Sequence, residues 1–213
     1  MATEIFRPNA GGTTTELTRW PGAAPPDPNV NYTLVDEETP DEASTMVYRG
    51  VESYALDTYN IPDHSEGSET INHVRVYCRM QNSPAFGKVA IRTHNTEYYG
   101  DEENLTASWV SYSKQWDTNP NTGSAWTWDE IDALEIGVAL KGGGGNSARC
   151  TQVYVEVDYT AITPKTSSDA GSGVEGTSMQ AATLAGNELG QGSDSFIVKI
   201  ETPTKGGGMK LWT

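Results

Sequence analysis

Apolar and polar positions alternate in short stretches through most of the first 160 residues. In TQVYVEVDY, Thr151, Val153, Val155, Val157 and Tyr159 fall on one face and Gln152, Tyr154, Glu156 and Asp158 on the other. A period of two is that of a strand with one side on a core and one toward water. INHVRVYCRM repeats the design, with Val74, Val76, Cys78 and Met80 inward and His73, Arg75, Tyr77 and Arg79 outward. NYTLVDE, STMVYRGV, SYALDTYN, GKVAIRTH, LTASWVSYS and LEIGVAL are further strand candidates. The turn-rich segments PDEAS, PDHSEGSE, NSPAFG, YGDEEN, NPNTGS and KGGGGNS divide them. Many short strands at such spacing predict an all-β fold, an antiparallel β-sandwich of two sheets.

One helical signal interrupts the strands. In AWTWDEIDALE, Thr127 followed by Glu130 makes a capping box, and Trp126 and Ile131 stand where a hydrophobic staple places its two side chains. The spacing predicts a short helix over 127–134 that leads into LEIGVAL, with Trp126 structural.

Composition agrees with strands and turns: 25 Thr and 14 Val stand against 9 Leu, with 22 Gly and 11 Pro. No apolar run approaches the roughly 18 to 20 residues that span a bilayer, and MATEIFRPNA has neither a basic patch nor an apolar stretch. The expectation is a protein without membrane insertion and without a signal peptide. With 29 acidic and 14 basic residues the net charge is −15, which repels nucleic acid phosphate at long range.

That charge is uneven. Residues 1–160 hold 24 acids and 10 bases, whereas 161–213 hold 5 and 4. ITPKTSSDAGSG at the boundary has the Pro, Ser and Gly content of a linker. The expected organisation is an acidic sandwich over 1–160, a linker over 161–170 and a Gly-rich extended or β-hairpin arm over 171–213. Within the arm, Asp169, Gly171, Gly173 and Glu175 recur after 19 residues as Glu188, Gly190, Gly192 and Asp194. The arm has few large apolar groups, yet SFIVKIE reads as a strand and the chain ends in MKLWT. Phe196, Val198, Ile200, Leu211 and Trp212 are therefore expected to form an assembly interface, because an uncovered strand and Trp invite association.

Candidate chemistry is sparse. No nucleophile elbow, phosphate-binding loop or HExxH pattern occurs, so no catalytic residue and no enzyme is expected. His64, His73 and His94 read as solvated side chains. The acids Asp36, Glu37, Glu38, Asp101, Glu102 and Glu103 fall in turns and read as solvated clusters rather than a hydrolytic pair. Cys78 and Cys150 lack ligand spacing. DTNPNTG places Asp117, Asn119 and Asn121 as an EF-hand loop would, but Trp128 stands where its closing acid belongs. LGQGSDSFI resembles a calcium nonapeptide, with copies 19 residues apart instead of nine. No metal and no cofactor are expected. Tyr98, Tyr99, Trp109 and Trp116, in or beside loops, are candidate platforms for a sugar ring.

The stretch NPNTGSAWTWDEIDALEIGVAL, followed by ARCTQVYVEVDYT, resembles a segment of jelly-roll-like β-sandwich proteins from the structural gene modules of tailed bacteriophages. Tails carrying DxGxG repeats, like SDAGSG here, are attached to several of them. The resemblance implies a non-enzymatic virion structural protein of tail, fibre or capsid-decoration type. Such a protein, synthesised in the host cytoplasm, works by self-association as a homo-oligomer or by attachment to other virion proteins. The alternative is a carbohydrate-binding module that recognises host surface glycan.

Overall fold

The computed structural model describes residues 2–42, 44–65 and 69–161. Twelve strands and one short α-helix lie in that part: β1 (Ala2–Phe6), β2 (Ala10–Thr15), β3 (Thr18–Trp20), β4 (Met46–Arg49), β5 (Ala55–Asn60), β6 (Thr70–Gln81), β7 (Phe86–Thr93), β8 (Thr96–Tyr99), β9 (Glu103–Asn104), β10 (Val110–Trp116), α1 (Trp128–Asp132), β11 (Glu135–Lys141) and β12 (Ala148–Thr160). They form two six-stranded sheets in which every pairing is antiparallel. Sheet one runs β10-β6-β12-β4-β3, with β1 beside the second half of β12, and sheet two runs β2-β5-β11-β7-β8, with β9 on the first residues of β7. This is a jelly-roll β-sandwich.

The core follows from the period-two patterns. Val74, Val76, Cys78 and Met80 of β6 are fully buried, as are Val153, Val155 and Val157 of β12. Opposite them, sheet two contributes Tyr59, Val89, Ile91, Ile136, Val138 and Leu140. Both cysteines lie in this core as free thiols. Gln152 departs from the alternation: it is buried, because its side-chain amide donates to the carbonyls of Glu37 (2.7 Å) and Glu38 (3.2 Å) in a turn folded over β12.

The capping box forms as its residues require. Thr127 Oγ1 accepts from the Glu130 amide, and Glu130 Oε2 accepts from the Thr127 amide. The staple residues Trp126 and Ile131 are buried, and Trp126 Nε1 donates to the Trp116 carbonyl at 3.1 Å.

NYTLVDE is not a strand. Asn31–Leu34 form a 3-10 turn in which the buried Asn31 amide donates to the Leu17 carbonyl (2.9 Å) and to Asp57 Oδ2 (2.6 Å). A polar side chain that bridges two segments outweighs the β character of Tyr-Thr-Leu-Val. The strands of the first 20 residues, which carry little alternation, are recruited by their neighbours. Phe196, Val198, Ile200, Leu211 and Trp212, the tail repeat and the expected arm lie outside the described residues.

Candidate functional site: a groove on the outer face of sheet two

Alternate cross-strand rows of sheet two face away from the core. Across β7, β11 and β5 the register aligns Lys88 with Ala139 and Leu56, and then Ala90 with Gly137 and Thr58. Tyr99 of β8 stands opposite Ala90, and Glu97 opposite Arg92. Small groups therefore occupy the middle of this face. Leu56, Ala90 and Ala139 pack into an apolar patch separate from the main core, with Tyr54 against it. Gly137 is required in the same floor, because a Cβ there would meet the Asp57 carbonyl oxygen at 2.3 Å.

The floor and its surroundings enclose a groove of about 450 Å³ lined by Thr14, Glu16, Tyr54, Leu56, Lys88, Glu97, Tyr99 and Ala139, with Ala55 beside them. At one end Tyr54 donates its hydroxyl to Glu102 at 2.7 Å, and Lys88 and Lys141 each place an ammonium 4.8 Å from its ring centroid. Lys141 also pairs with Glu102 at 3.2 Å, whereas Lys88 has no ion pair among the described residues. Burial, and then the carboxylate beside it, raise the Tyr54 phenol above its ordinary pKa. The Tyr54 hydroxyl and Lys141 hold the Glu102 carboxyl below the usual range.

At the other end Tyr99, 44% exposed, donates to Glu97 at 3.0 Å. Burial and the adjacent Glu97 push its phenol up to about 12. Glu97 also accepts from Thr14 Oγ1 at 3.3 Å, and Glu16 accepts the Leu56 amide at 2.9 Å. Both tyrosines are thus neutral donors held by carboxylates. The groove combines an apolar floor, two aromatic rings, carboxylate acceptors and one ammonium donor, which is the equipment for binding a polyhydroxylated ring.

Of the four aromatics singled out in the sequence, only Tyr99 lines the groove. Trp116 is buried in the core at 8% exposure, because the register of β10 against β6 pairs it with Val74. It is corrected here to a core residue. Tyr98 stands opposite Ile91 and packs on the core, its hydroxyl accepting from Asn121 Nδ2 at 3.1 Å. Trp109 is half-buried just ahead of β10, in the other sheet. Tyr54, Lys88, Glu16 and Glu97 were missed. The usable signal was the alternation in SYALDTYN, which puts Tyr54 and Leu56 on the face opposite Asp57 and Tyr59.

His64, His94 and Asn119 have structural roles. His64 is not solvated: Asp132 Oδ1 sits 2.7 Å from its Nδ1 and accepts its amide at 2.9 Å, while its ring stacks on Trp128. His94 lies 3.5 Å from Glu130, whose other oxygen is engaged in the capping box. Asn119 of DTNPNTG is buried and points its amide at Thr93 Oγ1, 3.2 Å away, while its carbonyl closes the loop on the Asn121 amide. Among the described residues no three His, Cys, Asp or Glu side chains converge as metal ligands, and no helix is long and apolar enough to cross a membrane.

No known protein family matches the chain, and no curated protein matches it in sequence. Among solved structures, the C-terminal family 6 carbohydrate-binding module of a marine laminarinase from Zobellia galactanivorans is similar over 74% of this chain and 100% of its own, at 10% identity and a TM-score of 0.38. A family 22 xylan-binding domain from Paenibacillus barcinonensis is similar over 75% of this chain and 98% of its own, at 13% identity and 0.38. The enzymatically active domain of tailspike protein 4 of bacteriophage CBA120 is similar over 73% of this chain and 19% of its own, at 14% identity and 0.35. These likenesses transfer no site residue.

Proposed function

We propose that this chain is a non-catalytic carbohydrate-binding module whose groove on sheet two holds a neutral glycan. The observation that carries it is the apolar floor of Leu56 and Ala139, backed by Ala90 and set between Tyr54 and Tyr99, with donors and acceptors on its edges. A sugar ring offers an apolar C–H face and a rim of hydroxyls, and both are met here. Neutrality follows from charge: the groove mixes the ammonium of Lys88 with Glu16 and Glu97, and the net charge of −15 opposes polyanions at long range.

Affinity electrophoresis against soluble xylan, laminarin and mixed-linkage β-glucan, with a sulfated polysaccharide alongside, tests it. Retardation by at least one neutral polymer, insensitive to salt, is expected. Tyr99→Ala should weaken that binding by about 1 to 2 kcal/mol, roughly five- to thirtyfold, at unchanged melting temperature. Retardation by the sulfated polymer alone, or by none, overturns the reading.

A further inference from the structure

β2 pairs with β5 only at its two ends. Gly11 stands opposite Tyr59 and Thr15 opposite Asp57, so four steps of chain on β2 face two on β5. The excess lifts Gly12–Thr14 off the ladder, and its amides need other partners. Side chains supply them. Glu135 Oε2 accepts the Thr13 amide at 2.8 Å and the Thr58 hydroxyl at 2.5 Å, while Oε1 accepts the Thr13 hydroxyl at 2.5 Å and lies 3.0 Å from Arg92. Thr58 Oγ1 in turn accepts the Thr14 amide at 3.0 Å. The fit leaves no room for a side chain at Gly12, whose Cβ would lie 2.5 Å from Glu135 Oε2.

The chain of contacts does not stop at the bulge. Thr14 donates its hydroxyl to Glu97, and Glu97 accepts the hydroxyl of Tyr99. Glu135 itself is absent from the groove lining. A buried carboxylate on β11 is thereby linked through Thr58, Thr14 and Glu97 to the exposed ring at the far end of the groove.

We propose that Glu135 is the positioning residue of the groove: its carboxylate replaces the missing backbone partners of β2 and so holds Thr14, and through Glu97 the Tyr99 ring, in the geometry that receives a ligand. This rests on the carbohydrate reading above. Charge-assisted bonds of this kind are the strong ones, and Gln at 135 would present an amide N–H toward a donor. Arg92 on β7 and Glu97 on β8 are the charged groups in the same cross-strand row.

The test uses the full chain and Glu135→Gln, with amide exchange in the free protein and titration with xylohexaose, laminarihexaose and cellohexaose. In Glu135→Gln, protection at Thr13 and Thr14 should fall by about tenfold or more, and by more than any loss at Val76 and Val155, whose exchange follows global stability. Affinity for whichever oligosaccharide the wild type binds should fall by a similar factor. In the wild type, protection at Thr13 and Thr14 should decline on acidification, and in the variant it should not. Unchanged protection at Thr13 and Thr14 overturns the proposal, as does an equal loss of protection in every strand, or lost protection with undiminished affinity. Should no oligosaccharide bind the wild type, the carbohydrate reading falls, and local exchange still decides whether Glu135 holds this edge.

Discussion

Asp57 and Glu135 sit on neighbouring strands and face opposite sides of one sheet, and acid acts on them with opposite sign. Asp57 accepts from the amides of Glu16 and Leu17, the Asn31 amide group and the Tyr59 hydroxyl, yet burial outweighs these donors and raises its carboxyl. For Glu135, burial works against the charge but is outweighed by hydrogen bonds from Thr13 and Thr58 and by Arg92, so its carboxyl is lowered. A lowered carboxyl contributes stability above its unfolded pKa, about 4.3 for Glu, and loses it as pH falls through the folded value. A raised one contributes below its unfolded value, about 3.9 for Asp, and loses it as pH rises through the folded value. The stability gap between wild type and Glu135→Gln in urea should therefore be largest near neutrality and close in strong acid. A gap that widens in acid would contradict the lowered carboxyl. Trp116→Ala, by contrast, should cost about 3 to 5 kcal/mol of folding stability through the cavity it leaves. A variant as stable as wild type would return Trp116 to the list of exposed platforms.

Among the elements, α1 depends most on local chemistry. Five residues are too few to be helical alone, so its stability comes from the capping box and from Trp128 and Ile131 buried beneath it. Thr127→Ala should destabilise the fold by about 0.5 to 2 kcal/mol, measured as a shift in the urea midpoint, while Thr127→Ser should restore most of it. Equal losses in both variants would show that the methyl, not the hydroxyl, matters. The strands differ in how far they depend on partners. β6 and β12 carry long alternating patterns and pair with each other along nearly their whole length. β2 has small residues and no alternation, and it is placed by side chains from β5 and β11.

At the scale of the whole molecule, β12 is the last described strand and ends at Thr160. It lies inside sheet one, between β6 on one side and β4 and β1 on the other, so both its edges are paired by described strands. A chain truncated after Ala161 should unfold cooperatively with the melting temperature of the full chain. The expected assembly role of Phe196, Val198, Ile200, Leu211 and Trp212 is tested by the same truncation. Light scattering should show the full chain self-associating and the truncated one monomeric. Equal masses for the two would remove the tail from assembly.

The sandwich itself was legible in the sequence because its signals are local. Period-two alternation marked β6, β11 and β12, and Thr127 with Glu130 marked the start of α1. Each depends only on neighbours a few residues away, and hydrophobic burial turns that spacing into a face. The groove was not legible, because it is made by register. Leu56, Ala90 and Ala139 are unremarkable apolar residues until β5, β11 and β7 align them, and Tyr54 becomes a wall only when Glu102, 48 positions away, accepts its hydroxyl. Which of Tyr98 and Tyr99 faces outward turned on a one-residue choice of pairing. Long-range alignment of strands, and the side chains that fill a gap in the β2–β5 ladder, were decided by tertiary structure alone.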